Sequence, residues 1–133
     1  MTKAIIHTDG GARGNPGPAG IGAVIEHGGQ THQLKRYIGQ ATNNQAEYQA
    51  VLMALEKAVE LGVKEADVFL DSELVQQQLV GNYKVKDSQL QILFVKIWNL
   101  QQTFAKLKFF HVRRNDNKEA DKLVNQAIDE AGF

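Results

Sequence analysis

Four acidic residues stand where predicted strands end and predicted helices begin, which are places where separate parts of a chain can meet. Asp9 and Asp71 each close a short apolar run typical of a buried strand, whereas Glu47 and Asp121 fall in the first turn of a predicted helix. In open α/β sheets, sites form where strand ends meet helix starts. Four carboxylates from four such places could therefore converge on one site.

Carboxylates gathered in one place repel one another, and this repulsion raises their pKa values. A divalent cation removes the conflict, and carboxylate oxygens are ligands that suit Mg²⁺ or Mn²⁺. Two such ions about 3.5–4 Å apart can activate a water molecule and stabilise the leaving oxygen of a phosphodiester. The four acids therefore indicate a site for Mg²⁺, with Mn²⁺ as a substitute.

Each acid also has a purely structural explanation. Asp9–Gly10 is an ordinary turn dipeptide. Glu47 follows Asn44 by three residues and could complete a capping box. Asp71 could cap the next helix, and Asp121 could stabilise a helix N-terminus through its negative charge. Spacing alone does not decide between these explanations and a shared site.

The apolar periodicities predict the element order βββαβααβα. Strands are predicted over 3–9, 20–27, 30–38, 66–71 and 107–112. Helices are predicted over 44–61, 72–80, 88–106 and 117–130. Gly28–Gly29 is a hairpin signal, so the first three strands should be antiparallel, with the rest reached by helical crossovers. This is an α/β fold with a five-stranded mixed sheet flanked by helices.

Two local interpretations accompany this fold. The stretch Gly10–Gly20 holds five of the twelve glycines and both prolines, which predicts a loop. Trp98, Phe109 and Phe110 are interpreted as core residues rather than as a surface on which bases stack.

Composition narrows the class of protein. The chain has 133 residues, 43% of them hydrophobic, which predicts a single globular domain over residues 1–133. It has no cysteine, which excludes disulfides and thiolate chemistry. Fifteen basic residues balance fifteen acidic ones, so binding of nucleic acid by bulk positive charge is disfavoured. Without an apolar run of membrane-spanning length or a signal peptide, we expect a cytoplasmic protein that does not contact membranes.

Four stretches resemble, in this order, the sequence blocks of ribonuclease H type I: TDGGARGNPGPAGIGAVI, TNNQAEYQAVLMAL, FLDSELVQQQLVGNYKVK and HVRRNDNKEADKLVNQA. The match runs from about Ile5 to Ile128. The resemblance implies the ribonuclease H-like fold and an endonuclease that cuts the RNA strand of an RNA–DNA hybrid. It also implies two metal ions and products with 5′-phosphate and 3′-hydroxyl ends. We expect the protein to be a monomer. The acids that match the family's metal ligands are Asp9, Glu47, Asp71 and Asp121.

The same resemblance implies a surface for nucleic acid. The residues that match it in the first two blocks are Gly10, Gly11, Asn15, Thr42, Asn43 and Asn44. Asn15 matches a residue that reads the minor groove of the hybrid, and Thr42 one that binds a DNA phosphate. Structural alternatives remain open here, because the glycines could form a plain tight turn and residues 42–44 could cap a helix.

The sequence departs from the best-known bacterial pattern in three places. Arg114 stands near the position of a catalytic histidine, with Arg113 one residue away. A basic insertion between the middle helices is missing, so the nearest candidates for contacts with the DNA strand are Tyr83, Lys84 and Lys86. Glu73 adds a negative charge after Asp71, where it either lies near the metals or stabilises a helix start.

Two classes of function therefore remain. One is the metal-dependent nuclease, and the other is a ribonuclease H-like module that binds nucleic acid but is catalytically weak or inactive. The presence of all four acids favours the nuclease, because a module without catalysis has no physical need for clustered carboxylates.

Overall fold

The computed structural model describes residues 2–133. Within them the strands are β1 Lys3–Ala12, β2 Gly17–His27, β3 Gln30–Ala41, β4 Glu65–Leu70 and β5 Lys106–His111. The helices are α1 Asn43–Glu60, α2 Glu73–Leu79, α3 Ser88–Gln101 and α4 Lys118–Glu130, with a 3-10 turn over Arg114–Asp116. The element order and the five-stranded mixed sheet confirm the prediction.

The sheet has the order β3-β2-β1-β4-β5. Strands β1, β2 and β3 pair antiparallel, whereas β4 runs parallel to both β1 and β5. The predicted hairpin turn is present at Gly28–Gly29, where both residues have positive φ. The predicted mixed topology is therefore confirmed.

The glycine-rich loop was predicted too long. Strand β1 continues to Ala12 and β2 begins at Gly17, so only residues 13–16 connect the two strands. Gly11 pairs with Gly20 in the ladder. Backbone hydrogen bonds hold a ladder together without side chains, so residues with the composition of a turn form a sheet here.

Helices cover both faces of the sheet. Helix α1 packs against β1 and β2, and α4 packs mainly against β2 and β3. Neighbouring residues of a strand point to opposite faces. A Cβ at Gly10 would touch α1, whereas one at Gly22, the partner of Asp9, would touch α4. The side chain of Asp9 therefore belongs to the face that α4 covers.

The region around α3 and β5 differs from the prediction in two ways. Helix α3 ends at Gln101, because the chain turns so that Phe104 is buried and the amides of residues 105 and 106 donate to the carbonyl of Lys64. Phe109 is buried as predicted, but Trp98 and Phe110 are 52% and 39% exposed. Strand β5 lies at the edge of the sheet, so the side chains on one of its faces, including that of Phe110, remain outside the core.

Phe110 lies on the open part of the sheet in a row of rings. It stacks on Phe69 of β4 at 5.2 Å between centroids, and Phe69 stacks on His7 of β1 at 5.1 Å.

Within residues 2–133, none of the helices has both the length and the apolar character that crossing a membrane requires.

Candidate active site

Two carboxylates meet because β1 and β4 are neighbouring parallel strands. Thr8 of β1 pairs with Leu70 of β4, so Asp9 and Asp71 come next along the two strands at the same edge of the sheet. Glu47 joins them from α1. Among residues 2–133, one oxygen from each of these three carboxyl groups lies within 4.8 Å of the other two.

Helix α1 reaches the carboxylates because Gly10 lets it approach the strand. A Cβ at Gly10 would lie only 2.3 Å from the carbonyl carbon of Ala46, so a side chain at this position would push the helix away. The amide of Gly10 donates a hydrogen bond of 2.7 Å to Oε1 of Glu47. The missing Cβ of Gly10 therefore allows α1 to approach, and the backbone amide of the same residue holds the Glu47 side chain.

Three of the structural explanations for the acids are wrong. Asp9 and Gly10 are not in a turn, because β1 continues through them. The capping box at the start of α1 joins Thr42 to Gln45 and does not involve Glu47. The N-cap of α2 is Ser72, so Asp71 does not cap that helix. Asp121 does lie in the first turn of α4, where its negative charge can stabilise the helix N-terminus as its structural explanation requires.

Asp121 lies in the same groove as the other three acids. The groove holds about 400 Å³ and is lined by the four acids together with residues of the β1–β2 connection and of α4. Asp121 is near enough for its negative charge to help raise the pKa of Asp9. In the described part of the chain, however, it does not belong to the group of three whose oxygens are mutually within 4.8 Å.

Burial makes the carboxylates hard to ionise together. Asp9 is only 7% exposed and Glu47 only 5%. Burial raises the pKa of Asp9 to about 7; the neighbouring Glu47 carboxyl, the next largest influence, lowers it, and Asp71 and Asp121 raise it further. Burial and the neighbouring Asp9 raise the pKa of Glu47 well above its usual value. Without a cation, burial and mutual repulsion therefore oppose ionisation of both groups.

The donor set fits a hard divalent cation. All the groups in the cluster are carboxylates, which Mg²⁺ and Mn²⁺ prefer. Within residues 2–133, the buried Oε2 of Glu47 has no hydrogen-bond partner, although its Oε1 is held by Gly10. An unpaired buried oxygen is costly unless something outside the protein binds it. A cation held by Asp9, Glu47 and Asp71 would satisfy this atom.

The residues predicted to contact nucleic acid in the first two blocks lie next to the groove. The side chain of Asn15 accepts a hydrogen bond of 3.0 Å from the amide of Asn43, whose own side chain accepts one of 2.9 Å from the amide of Ala12. Thr42 caps α1, as its structural explanation requires, and Asn44 lines the groove together with Gly10, Gly11 and Asn43.

Arg114 and Arg113 have different surroundings. Arg114 lies in the 3-10 turn and lines the groove that holds the acids. Arg113 is 86% exposed, and its guanidinium lies 3.6 Å from the carboxylate of Asp116. Glu73 is exposed in the first turn of α2 and does not line the groove. Of the two arginines, only Arg114 lines the groove, and its functional role stays a prediction.

The remaining predicted contacts lie outside the groove. Tyr83, Lys84 and Lys86 are exposed on the connection between α2 and α3, and none of them lines the space around the carboxylates. This connection is held to α2 through its backbone, since the side chain of Gln78 donates to the carbonyl of Lys84.

Sequence reasoning did not include Asn117 among the site residues. Its side chain is 1% exposed and donates to the carbonyl of Thr8 at 2.8 Å and to Oδ2 of Asp71 at 3.2 Å. An asparagine just before a helix normally indicates an N-cap. Its position four residues before Asp121 was the only signal that it belongs near the acids.

Comparisons with known proteins agree with this geometry. The family model described as reverse transcriptase-like matches residues 7–127. The chain is 45% identical over 132 residues to bifunctional protein Rv2228c of Mycobacterium tuberculosis, which covers 97% of this chain but only 36% of that protein. It is 34% identical over 145 residues to ribonuclease H of Hydrogenovibrio crunogenus, with 98% of each chain covered.

Among solved structures, the chain is similar to LC11-RNase H1, which was isolated from compost by a metagenomic approach and crystallised with an RNA/DNA hybrid. The TM-score is 0.91 at 48% identity, covering 96% of this chain and 98% of that one. The strand order of the sheet, with carboxylates at the ends of the inner strands β1 and β4, defines a ribonuclease H-like fold. With relatives of this similarity, the chain belongs to the ribonuclease H family.

Proposed function

We propose that this protein is an endoribonuclease that hydrolyses the RNA strand of RNA–DNA hybrids with two Mg²⁺ ions, for which Mn²⁺ can substitute. The observation that carries the proposal is the group of Asp9, Glu47 and Asp71, whose oxygens lie within 4.8 Å of one another at the floor of an open groove. The hybrid bound to LC11-RNase H1 supports the substrate class.

In this proposal Asp9, Glu47, Asp71 and Asp121 are the metal ligands. Bound there, the ions would bring positive charge to the scissile phosphate, which favours both deprotonation of the attacking water and departure of the 3′-oxygen. The water oxygen forms a bond to phosphorus as the bond from phosphorus to the 3′-oxygen breaks. The products are a 5′-phosphate and a 3′-hydroxyl. The carboxylates contribute by fixed positions, which is the main source of catalysis in phosphoryl transfer.

Arg114 acts on the phosphate in this scheme. Guanidinium groups are poor general bases, so its proposed role is to bind the phosphate. It can donate two parallel hydrogen bonds to phosphate oxygens. Because Arg114 lines the groove and Arg113 pairs with Asp116, Arg114 is the better placed of the two.

The groove edge provides donors for the hybrid. Within residues 2–133, the side-chain oxygens of Asn15 and Asn43 accept backbone hydrogen bonds, whereas their NH₂ groups have no protein acceptor. Base edges in the minor groove and ribose 2′-hydroxyls are acceptors that such groups can bind. Gly10, Gly11, Thr42 and Asn44 complete the proposed contacts with this face of the hybrid.

Lys84 and Lys86, with Tyr83, form the proposed second contact region, on the α2–α3 connection. These side chains would bind phosphates of the DNA strand and stack on its sugars or bases. They lie on the connection that stands where the best-known bacterial pattern has a basic insertion, which this sequence lacks.

The test is cleavage of an end-labelled RNA–DNA hybrid, compared with RNA–RNA and DNA–DNA duplexes of the same sequence, each with Mg²⁺, with Mn²⁺ and with a chelator. We expect cuts in the RNA strand of the hybrid only when a cation is present, and ends that a 5′-phosphate-dependent exonuclease accepts. Binding of the hybrid without cleavage in either cation would contradict the proposal and identify a binding module.

A further inference from the structure

Asn117 occupies a position where an asparagine would normally cap a helix, but it does not do so. It precedes α4, yet its side chain makes no cap hydrogen bond. In the other helices of residues 2–133, the N-cap side chains Thr42, Ser72 and Asp87 all accept backbone amides. The conformational advantage of asparagine as a cap therefore does not explain this residue.

The side chain of Asn117 instead joins three parts of the candidate active site. Its Nδ2 donates to the carbonyl of Thr8, the residue before Asp9 on β1, and to Oδ2 of Asp71 after β4. Its backbone carbonyl accepts the amide of Asp121 in the first turn of α4. One buried residue thus connects the segments that carry three of the four acids.

The orientation of the amide is set by its neighbours. Both contacts of Nδ2 are oxygen acceptors, so turning the amide over would place Oδ1 against two oxygens. In this orientation the buried Oδ1 has no partner within the described residues. A buried polar atom without a partner costs about 1–3 kcal/mol. The residue is therefore poorly explained by stability and better explained by what its NH₂ group holds.

We infer that Asn117 is a positioning residue that holds Asp71 in the orientation required to bind a metal ion. A hydrogen bond to one carboxylate oxygen restricts rotation of the group and leaves the other oxygen for the cation. Residues that orient metal ligands in this way typically change metal affinity or activity by about 10–100-fold when they are replaced. The inference rests on the metal-dependent function proposed above.

The experiment compares Asn117→Ala with Gln76→Ala by isothermal titration calorimetry with MgCl₂ and by thermal unfolding. Gln76 is the matched control, because it is also buried and donates its side-chain NH₂ to a backbone carbonyl, that of Phe109 at 2.9 Å. We expect both variants to unfold at lower temperature than the wild type. Only Asn117→Ala should bind Mg²⁺ more weakly, by about 10-fold or more, and need higher Mg²⁺ for hybrid cleavage.

Three outcomes separate the possible failures. If the wild type does not bind Mg²⁺, the proposed function fails, and this inference fails with it. If the wild type binds Mg²⁺ and Asn117→Ala binds it equally well, or Gln76→Ala weakens it as much, only this inference is overturned.

A second measurement applies if Asn117→Ala does not fold. The side-chain NH₂ signals of Asn117 in the wild type are then followed by NMR during a Mg²⁺ titration. We expect them to shift as Asp71 binds the cation, with the side-chain signals of Gln76 unchanged. Asn117 signals that stay constant up to saturation would overturn the inference.

Discussion

Acidic side chains outnumber basic ones in the groove, where four carboxylates lie beside Arg13 and Arg114. None of the ion pairs formed by residues 2–133 involves Asp9, Glu47, Asp71 or Asp121. Burial adds to this cost, since a charged carboxylate loses its hydration when it leaves water. Replacing one of these carboxylates should therefore have opposite effects on activity and on metal-free stability.

Asp9→Asn should abolish hybrid cleavage without unfolding the protein. Loss of the charge removes a metal ligand, but it also relieves repulsion in the buried cluster, so the metal-free protein should be as stable as the wild type or more stable. Cleavage rates and thermal unfolding with chelator measure the two effects. Asp67→Asn, on β4 and paired with Lys3, is the control that should retain activity.

Asp71→Asn should behave in the same way as Asp9→Asn. The assignment of the site would be contradicted if Asp9→Asn kept more than about a tenth of the wild-type rate. That rate would mean a loss of under about 1.4 kcal/mol in transition-state stabilisation.

The raised pKa of Asp9 predicts how metal-free stability changes with pH. Burial, with the charges of Asp71 and Asp121, raises the pKa of Asp9 to about 7 in the folded protein, whereas an unfolded aspartate titrates near 4. Between these values the folded protein holds more protons, so the free energy of unfolding falls as pH rises, by about 4 kcal/mol at most.

Chemical denaturation from pH 4 to pH 8 in the presence of a chelator measures this effect. Asp9→Asn should flatten the profile, and saturating Mg²⁺ should remove the fall, because a bound cation favours the ionised form. A metal-free stability that rises from pH 5 to pH 7 would show that the carboxylates are not strained by burial.

At the scale of elements, short connections decide which side chains enter the groove. The 3-10 turn between β5 and α4 places Arg114 at the groove that holds the acids and leaves Arg113 in solvent. Close contact of a strand with a helix has a similar effect at Gly10, where the absence of a Cβ lets α1 bring Glu47 to the sheet edge. Each arrangement can therefore be tested with variants at two neighbouring positions, Arg113 and Arg114 in the first case and Gly10 and Gly11 in the second.

Arg114→Ala should lower turnover of the hybrid by roughly ten- to a thousandfold, the scale of removing one donor to the transition state. Arg113→Ala should have much less effect, because its side chain is directed to Asp116 and solvent. Arg114→Lys should restore only part of the rate, since an ammonium group lacks the planar fork. Steady-state cleavage kinetics distinguish the three, and a crippling Arg113→Ala beside a silent Arg114→Ala would move the assignment by one residue.

Gly10→Ala should destabilise the protein by about 3 kcal/mol or more, because the new Cβ overlaps backbone atoms of α1 that have little room to move. Gly11→Ala is the matched control, since its Cβ would meet its nearest atom, in the side chain of Val124, at an ordinary 3.9 Å. Urea denaturation of both variants measures the difference. Equal stability of the two would mean that α1 is free to shift.

For the whole molecule, charge balance limits how the hybrid is held. With fifteen basic and fifteen acidic residues, affinity depends on local basic groups rather than on the overall field. Binding should therefore be weak and strongly dependent on salt. Replacing both Lys84 and Lys86 by Ala should weaken hybrid binding and reduce the slope of log affinity against log salt by up to about 2.

Fluorescence anisotropy with a labelled hybrid at several salt concentrations tests this contact region. The matched control replaces Lys106 and Lys108, an equal change in charge on the edge strand β5. A wild-type slope near zero, or a Lys84 and Lys86 double variant that binds like the wild type, would count against the region.

Much of the fold could be predicted from periodicity, because helices and half-buried strands repeat their apolar residues at different intervals. The limits were local. Gly10, Gly11, Gly17 and Gly20 have the composition of a loop but lie in paired strands. A Cβ at Gly10 or at Gly20 would overlap the backbone of α1 or of α4, which composition does not reveal. Phe110 and Trp98 are residue types usually found in a core, but they are exposed because Phe110 lies on an edge strand and Trp98 on a partly covered helix.

The candidate site was less predictable than the fold. Asp9, Glu47 and Asp71 were found from element ends, but their convergence depends on strand order and on Gly10, which spacing does not reveal. The buried contacts of Asn117 could not be distinguished from a helix cap. The extent of the domain over residues 1–133, the monomeric state and the cytoplasmic location stay predictions.

The Gly28–Gly29 turn has a practical consequence for the molecule as a whole. It joins β2 to β3 at the end of the sheet opposite the carboxylates, since Glu26 pairs with Ile5 near the start of β1 whereas Asp9 lies further along it. The space where either side chain would stand is open to 4 Å. A flexible linker inserted here would tether the protein to a sensor surface or a bead with the groove turned outward, toward long hybrids in solution.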